Sequence, residues 1–229
     1  MADFLLLHGA CHGGWCWDAV VARLREARHQ AFAPDLPCDD LDAGLDEYAD
    51  TAVAALSNPV GDLVVVGHSL GALVVPLVAA RVPVRRVVML AGIVGAPHSS
   101  LESLAVEDSD RDLPLEDDDI ESDDQSRFRF TSSGARRALF HDCPPAAADA
   151  AIARLRFQRS MWTQVADFDN WPATEIVSIT CTGDRIVNPA WSDRIARERL
   201  GVESVHLPGG HSPFLARPSE LTDVLMAGL

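Results

Sequence analysis

Three short segments of this chain hold the residue types that nucleophilic catalysis needs. Gly67-His68-Ser69-Leu70-Gly71 follows the apolar run Leu63–Val66 and opens a helical stretch, Leu70–Ala80. This is the G-x-S-x-G pattern in a strand-turn-helix setting, the context in which the serine stands exposed on a sharp turn. The flanking glycines permit the turn and a close approach of strand and helix, because a Cβ at either would clash. The helix N-terminus then brings free N–H groups and a positive dipole end to Ser69, which favours an anionic intermediate.

A serine hydroxyl needs a base, and the base needs an acid to orient it. His211, in Gly209-Gly210-His211-Ser212-Pro213, lies after the last apolar strand run and before the last helix, and is the expected base. His206, the other histidine in the final fifth of the chain, falls inside a strand pattern and reads as structural. The acid is expected straight after the preceding strand, in Thr182-Gly183-Asp184-Arg185, which selects Asp184 over Asp167, Asp169 and Asp193. The loop after the first strand, His8-Gly9-Ala10-Cys11-His12-Gly13-Gly14-Trp15, faces the serine turn in such an arrangement. The backbone N–H groups of Ala10 and Leu70 are therefore the expected oxyanion donors. That loop has no G-x-G-x-x-G and no Gly-Lys-Ser, so a nucleotide site is not expected.

The elements that must position these groups alternate strand and helix. Phe4–His8, Ala31–Leu36, Leu63–Val66, Arg85–Leu90, Glu175–Cys181 and Ser204–Leu207 read as strands, several of them apolar at every position. Continuous apolarity suits a parallel strand covered on both faces. Helical spacing follows at Trp15–Arg28, Leu45–Leu56 (stopped by Asn58-Pro59), Leu70–Ala80, Pro189–Leu200 and Phe214–Met226. The expected fold is α/β, a mostly parallel central sheet of about six strands with helices on both faces. Residues 97–169 break the rhythm, with no strand pattern and helical material at Ala146–Gln158. They read as a helical lid inserted into a core formed by residues 1–96 and 170–229.

Composition narrows the partners. The chain has 229 residues, 19 bases and 34 acids, a net charge of −15, and every base is arginine. With no lysine, a Lys Schiff base and a P-loop lysine are excluded. The charge argues against nucleic acid or an anionic membrane. Residues 107–124 hold eleven acids and one arginine, so −10 of the charge lies there and −5 elsewhere. That segment reads as a solvated, mobile face; a sharper expectation is that it repels free acids and favours neutral esters. Five cysteines without a CxxC pair read as reduced, mostly buried thiols, with no metal site. Met1–His8 lacks a basic start, and the apolar run Leu70–Ala80 contains Pro76 and is too short to span a bilayer. A cytoplasmic setting is the expectation.

The HGACHGGWCW run at residues 8–17, the Gly67–Gly71 turn, Thr182-Gly183-Asp184 and Gly210-His211-Ser212-Pro213-Phe214 together resemble the α/β-hydrolase superfamily. The first motif resembles, more narrowly, the plant methyl esterases, salicylate-binding esterases and hydroxynitrile lyases with their bacterial esterase relatives. The resemblance covers nearly the whole chain. It implies a carboxylesterase acting on a small-molecule ester beneath a helical lid, with a Ser69-His211-Asp184 triad and no cofactor. It also implies a pocket wall near Met161 and Trp162, and Phe128, Phe130, Phe140 and Phe157 are further candidates. His12 either reaches that pocket or hydrogen-bonds its own loop. The lyases of this group carry a lysine after the catalytic histidine; here Ser212 stands there. Dehalogenases of the fold need a carboxylate where Ser69 stands. Two alternatives remain, a non-hydrolytic ligand-binding protein and a lyase on the same scaffold, separable by turnover and by product analysis. Arg185 reads as solvated, Cys11 as a packed thiol, and His98 and His141 as residues without a visible partner.

Overall fold

The computed structural model describes residues 1–57 and 62–229. Its strands are β1 (Ala2–Leu7), β2 (Gln30–Phe32), β3 (Asp62–His68), β4 (Arg86–Leu90), β5 (Ser99–Ser100), β6 (Ile120–Ser122), β7 (Phe128–Phe130), β8 (Val165–Ala166), β9 (Glu175–Cys181) and β10 (Ser204–Leu207). Among the described residues the central sheet runs β10-β9-β4-β3-β1-β2, and every pairing in it is parallel. Along β1 the side chains alternate between two cores. Leu5 and Leu7 join one cluster with Val65, Val87 and Met89. Phe4 and Leu6 join the other with Val64, Val66, Val88 and Leu90. Both faces are buried, which is why these runs are apolar at every position.

Helices α1 (Asp18–Glu26), α2 (Leu45–Ala54) and α3 (Val75–Arg81) cover the sheet. Tyr48, Ala49 and Ala52 of α2 and Val75 and Val78 of α3 fill the first core. Val20 and Leu24 of α1 fill the second, with Phe214, Leu221 and Leu225 from the C-terminal helices Pro213–Ala216 and Pro218–Met226. The observed helices are shorter than their periodic patterns. Gly14–Trp17 and Ser69–Val74 are tight 3₁₀ turns that precede α1 and α3. The proposed stop at Asn58-Pro59 lies outside the described residues.

The chain runs from β1 out to β2 at one edge, then crosses back past β1 to build β3, β4, β9 and β10 in the other direction. The reversal falls between β1 and β3, where the loops leaving their carboxyl ends stand side by side. In open α/β sheets such a switch point is where ligands bind.

Residues 97–169, expected as helical material without strands, hold short strands beside their helices. Short strands β5 and β8 pair antiparallel and clasp the two ends of the segment, and β6 pairs antiparallel with β7. Strands of two and three residues carry no readable period, so the sequence pattern could not show them. Helical material is present at α4 (Leu101–Glu107), at Ser132–Leu139 and at Pro145–Ile152, the last ending six residues before Gln158. Phe130, Ala138, Leu139, Phe140, Ala148 and Ala151 form a third apolar cluster inside this insertion.

Most acids of the 107–124 segment are exposed, as its composition suggested, but the segment is also tied down at three buried points. Asp108, Arg111 and Asp119 are almost fully buried. Asp108 pairs with Arg199 at 2.7 Å, Asp110 with Arg194 at 2.7 Å and Asp119 with Arg137 at 2.5 Å. An antiparallel bridge joins Asp112 to Val187. These arginines neutralise part of the −10 charge, and Arg194 and Arg199 tie the segment to the core. Among the described residues no helix is long and apolar enough to cross a membrane.

Candidate active site

Ser69 has φ +51°, in the left-handed region that a β-substituted residue rarely adopts. Such strain, about 1–3 kcal/mol, persists only where the surroundings impose it. Here the glycines impose it. A Cβ on Gly67 would stand 2.6 Å from the Ala72 Cα, and one on Gly71 would stand 2.6 Å from the His8 carbonyl oxygen. The turn is therefore wedged between the next helix and the end of β1. The Ser69 carbonyl accepts from the Ile93 N–H at 3.0 Å, which anchors the turn to the loop after β4.

Asp184 and His211 are brought together by strand register. Leu207 pairs with Cys181, so the loops leaving β9 and β10 start abreast. The Thr182 N–H then donates to Leu207 O at 3.0 Å and the Gly183 N–H to Gly209 O at 2.8 Å. At the end of this ladder His211 Nδ1–H donates to Asp184 Oδ2 at 2.8 Å, with both side chains 2% exposed. The other Asp184 oxygen, Oδ1, accepts from the Ile186 N–H at 2.8 Å and the Val187 N–H at 3.1 Å. The carboxylate is thereby locked, and the proton it draws to Nδ1 leaves His211 Nε2 free to act as an acceptor.

The competing acids are engaged elsewhere. Asp193 accepts from Thr180 at 2.7 Å and lies 3.0 Å from the exposed His206. Asp167 and Asp169 flank His98 at 2.7 and 3.3 Å, so His98 does have partners. Arg185 donates to Arg137 O at 3.2 Å and stays exposed.

Three further histidines surround the loop after β1, and each is held neutral by its burial. His8 accepts from the Leu36 N–H at 2.9 Å through Nε2, and its Nδ1–H donates to Gly9 O at 2.8 Å. Both nitrogens are satisfied in the neutral form, and burial lowers its pKa to about 4. His12 Nδ1–H donates to Ala10 O at 2.8 Å, and burial lowers its pKa to about 3. Its ring stacks on Trp15 and meets Phe140 and Phe214 edge-on. His68 Nε2–H donates to the His211 carbonyl at 2.8 Å, with ring centroids 4.6 Å apart, and burial holds it far below the usual histidine range. The residue before the serine thus fixes the backbone of His211. Asp142, from the insertion, fixes the same loop by accepting from the Gly210 N–H at 2.9 Å.

One cavity, of about 330 Å³, meets Ser69 together with Ala10 and Leu70. Leu70 sits in the first turn after Ser69, where N–H groups lack an intrahelical partner. The walls come from both parts of the chain: Ile93, Leu101, Leu113, Leu115, Phe128, Phe130, Met161, Trp162 and Ile186, with Arg111, Asp112 and Gln158. Trp162 is on this wall and 45% exposed, whereas Phe140 and Phe157 are not on it. His12 lies behind the loop rather than on the cavity wall, because its ring is buried among aromatic side chains. The sequence pattern assigned no role to His68, Asp142, Arg111 or Gln158. Only for His68 was a signal present, its place inside the serine turn. All five cysteines are free; Cys11 lies 3.6 Å from Phe128 O, and burial raises its thiol pKa.

Comparison with known proteins supports the same architecture. Esterase PIR7B of Oryza sativa subsp. japonica is 44% identical over 90 residues, 35% of this chain and 34% of that protein. The chain thus spans about a third of the length of that relative. Pyrethroid hydrolase of Sphingobium wenxiniae is 25% identical over 242 residues, 98% of this chain and 86% of that protein. The crystal structure of a pyrethroid hydrolase from Sphingobium faniae superposes with TM-score 0.80 at 23% identity, covering 98% of this chain and 95% of that one. The sequence pattern of the Alpha/beta hydrolase family matches residues 4–224, nearly the whole chain. By that match, and by a sheet and serine turn of the matching form, the chain belongs to the alpha/beta hydrolase family.

Proposed function

We propose that the chain is a serine carboxylesterase acting on small, neutral esters. The observation that carries this reading is the strained Ser69 turn sharing one cavity with Ala10 and Leu70, while His68, the residue before Ser69, holds the backbone of His211 in a buried Asp184–His211 pair. His211 Nε2 takes the Ser69 proton as Oγ attacks the ester carbonyl. Asp184 keeps the Nδ1–H tautomer and stabilises the imidazolium that forms. The Ala10 and Leu70 N–H groups receive the developing oxyanion, worth about 3–4 kcal/mol per donor. The alcohol departs with the proton from His211, and water activated by the same nitrogen cleaves the acyl-enzyme.

Relatives named as esterases and hydrolases support the reaction class. The apolar walls suit an uncharged acyl group, and a cavity of about 330 Å³ suits a small one. Residues 97–169 act as the lid in this reading, since their side chains make up much of the cavity wall. The mechanism places no step on a metal or organic cofactor. Ser69→Ala is expected to abolish p-nitrophenyl acetate hydrolysis with the fold intact. A fluorophosphonate should add to Ser69 in the parent protein and be found there by peptide mass. Near-parental turnover in Ser69→Ala would falsify the assignment.

A further inference from the structure

Two residues that line the cavity each hold a buried polar atom with no protein partner: Nη1 of Arg111 and Oε1 of Gln158. Buried donors and acceptors are almost always paired, so unpaired ones beside a reactive serine call for an explanation. Arg111 is held from three sides. Its Nε and Nη2 grip Asp112 at 2.8 and 2.5 Å. Its own N–H donates to Asp108 O at 2.9 Å, and its carbonyl accepts from the Asn188 N–H at 2.7 Å. The guanidinium is 3% exposed, so water does not serve Nη1 as it would at a surface. Gln158 is equally fixed. Its Nε2 donates to Tyr48 Oη at 3.0 Å and to Arg159 O at 2.9 Å, and its backbone pairs in both directions with Phe128. Because Arg159 O can only accept, the amide orientation is settled and the free atom is the oxygen.

We propose that Arg111 is a specificity-determining residue whose Nη1 donates to a carbonyl oxygen on the acyl part of the substrate, remote from the scissile ester. This rests on the esterase reading, which makes the cavity the acyl site. The preferred partner is a neutral carbonyl rather than a carboxylate. Asp112 already neutralises the guanidinium, Gln158 presents a lone pair, and residues 107–124 carry a formal −10. A second carboxylate beside Arg111 would lie against Asp112, and the other cation of the wall, Arg159, already donates to Ala43 O. The subsite thus separates oxo-esters from plain acyl esters by attraction, and from half-esters of diacids by repulsion.

The test compares methyl hexanoate, methyl 4-oxohexanoate, methyl 5-oxohexanoate and monomethyl glutarate, with acid release followed in a pH-stat. A charge-assisted hydrogen bond in a closed site is expected to give the better oxo-ester a kcat/KM about 10-fold or more above that of methyl hexanoate, mainly through KM. Arg111→Met is expected to bring the two within about 2-fold. Asp112→Asn, which keeps an acceptor for the guanidinium but removes its charge, is expected to raise kcat/KM for monomethyl glutarate relative to methyl hexanoate about 5-fold or more. Equal treatment of oxo and plain esters by the parent protein overturns the proposal, as does a preference that survives Arg111→Met. Should Arg111→Met fail to fold, an unchanged glutarate ratio in Asp112→Asn overturns it instead. The esterase reading fails separately, on absence of turnover of every ester including p-nitrophenyl acetate. In that event calorimetry on Ser69→Ala with methyl 5-oxohexanoate and methyl hexanoate still decides: a Kd ratio of about 10 supports the subsite and a ratio near 1 removes it.

Discussion

Asp184→Asn tests the most specific claim about the site, that this carboxylate selects the histidine tautomer. In the parent protein Oδ1 accepts two backbone N–H groups, from Ile186 at 2.8 Å and Val187 at 3.1 Å, while Oδ2 accepts from His211. An asparagine has one oxygen and one NH₂. Turning the NH₂ toward Ile186 and Val187 would leave two buried donors facing donors, at about 1–3 kcal/mol each, or 2–6 kcal/mol together. The amide therefore keeps its oxygen on the backbone and turns its NH₂ to His211. Nδ1 must then accept, the ring proton moves to Nε2, and Nε2 can no longer take the proton of Ser69. Loss of the correct tautomer in a Ser-His-Asp triad lowers kcat about 10⁴-fold. At 1.36 kcal/mol per tenfold this is about 5.4 kcal/mol of transition-state stabilisation. The assay is p-nitrophenyl butyrate turnover at pH 8 after removal of any parental contaminant, with circular dichroism and a thermal melt to show an intact fold. A folded variant retaining more than a tenth of parental kcat would refute the tautomer argument, and with it the assignment of Asp184 over Asp193.

Three further outcomes are expected. Gly71→Ala places a Cβ 2.6 Å from His8 O and 2.9 Å from Leu7 O, both backbone, so the end of β1 must shift. A loss of about 2–3 kcal/mol follows, or about 5–10 °C in Tm for a chain this long, and a melt within 2 °C of the parent would contradict it. His68→Phe keeps the ring volume but leaves the His211 carbonyl without its donor. Turnover should fall about 10-fold with KM little changed, and an unchanged kcat would show that His68 does not position the base. Stability should depend on pH through the buried histidines. Unfolded, they take up protons as pH falls through about 6.5, whereas folded His8 resists until pH about 4. The unfolded state then binds more protons, so stability present above pH 6.5 is lost on acidification, by about 3 kcal/mol from His8 alone at pH 4. Urea midpoints measured from pH 7.5 to 4.5 should decline below 6.5, and a flat series would speak against neutral buried rings.

The comparison of pattern with structure follows one physical line. Backbone sterics and short-range spacing are local, so Gly67, Ser69 and Gly71 announced their turn, and the continuous apolar runs of β1, β3 and β4 announced a doubly covered parallel sheet. That Asp184 and His211 could meet was also legible, since each falls in the loop leaving a strand. Helix ends were less so, because the 3₁₀ turns at Gly14–Trp17 and Ser69–Val74 share the apolar spacing of the helices they open. The two- and three-residue strands of the insertion had no period to read.

What the sequence determined by itself is the set of groups available, a serine between two glycines in a strand-turn-helix setting with a carboxylate and an imidazole after successive strands. Tertiary structure decided what surrounds that chemistry. The 2.8 Å contact between residues 184 and 211 depends on the register of β9 against β10, which no local spacing encodes. The neutrality of His8, His12 and His68 depends on burial by elements distant in sequence. The pairing of Asp108, Asp110 and Asp119 within the largely exposed acidic segment could not be read, because their partners, Arg199, Arg194 and Arg137, lie beyond it along the chain. Charge is additive along a sequence, whereas pairing and desolvation are set by which groups the fold brings within a few ångströms of one another.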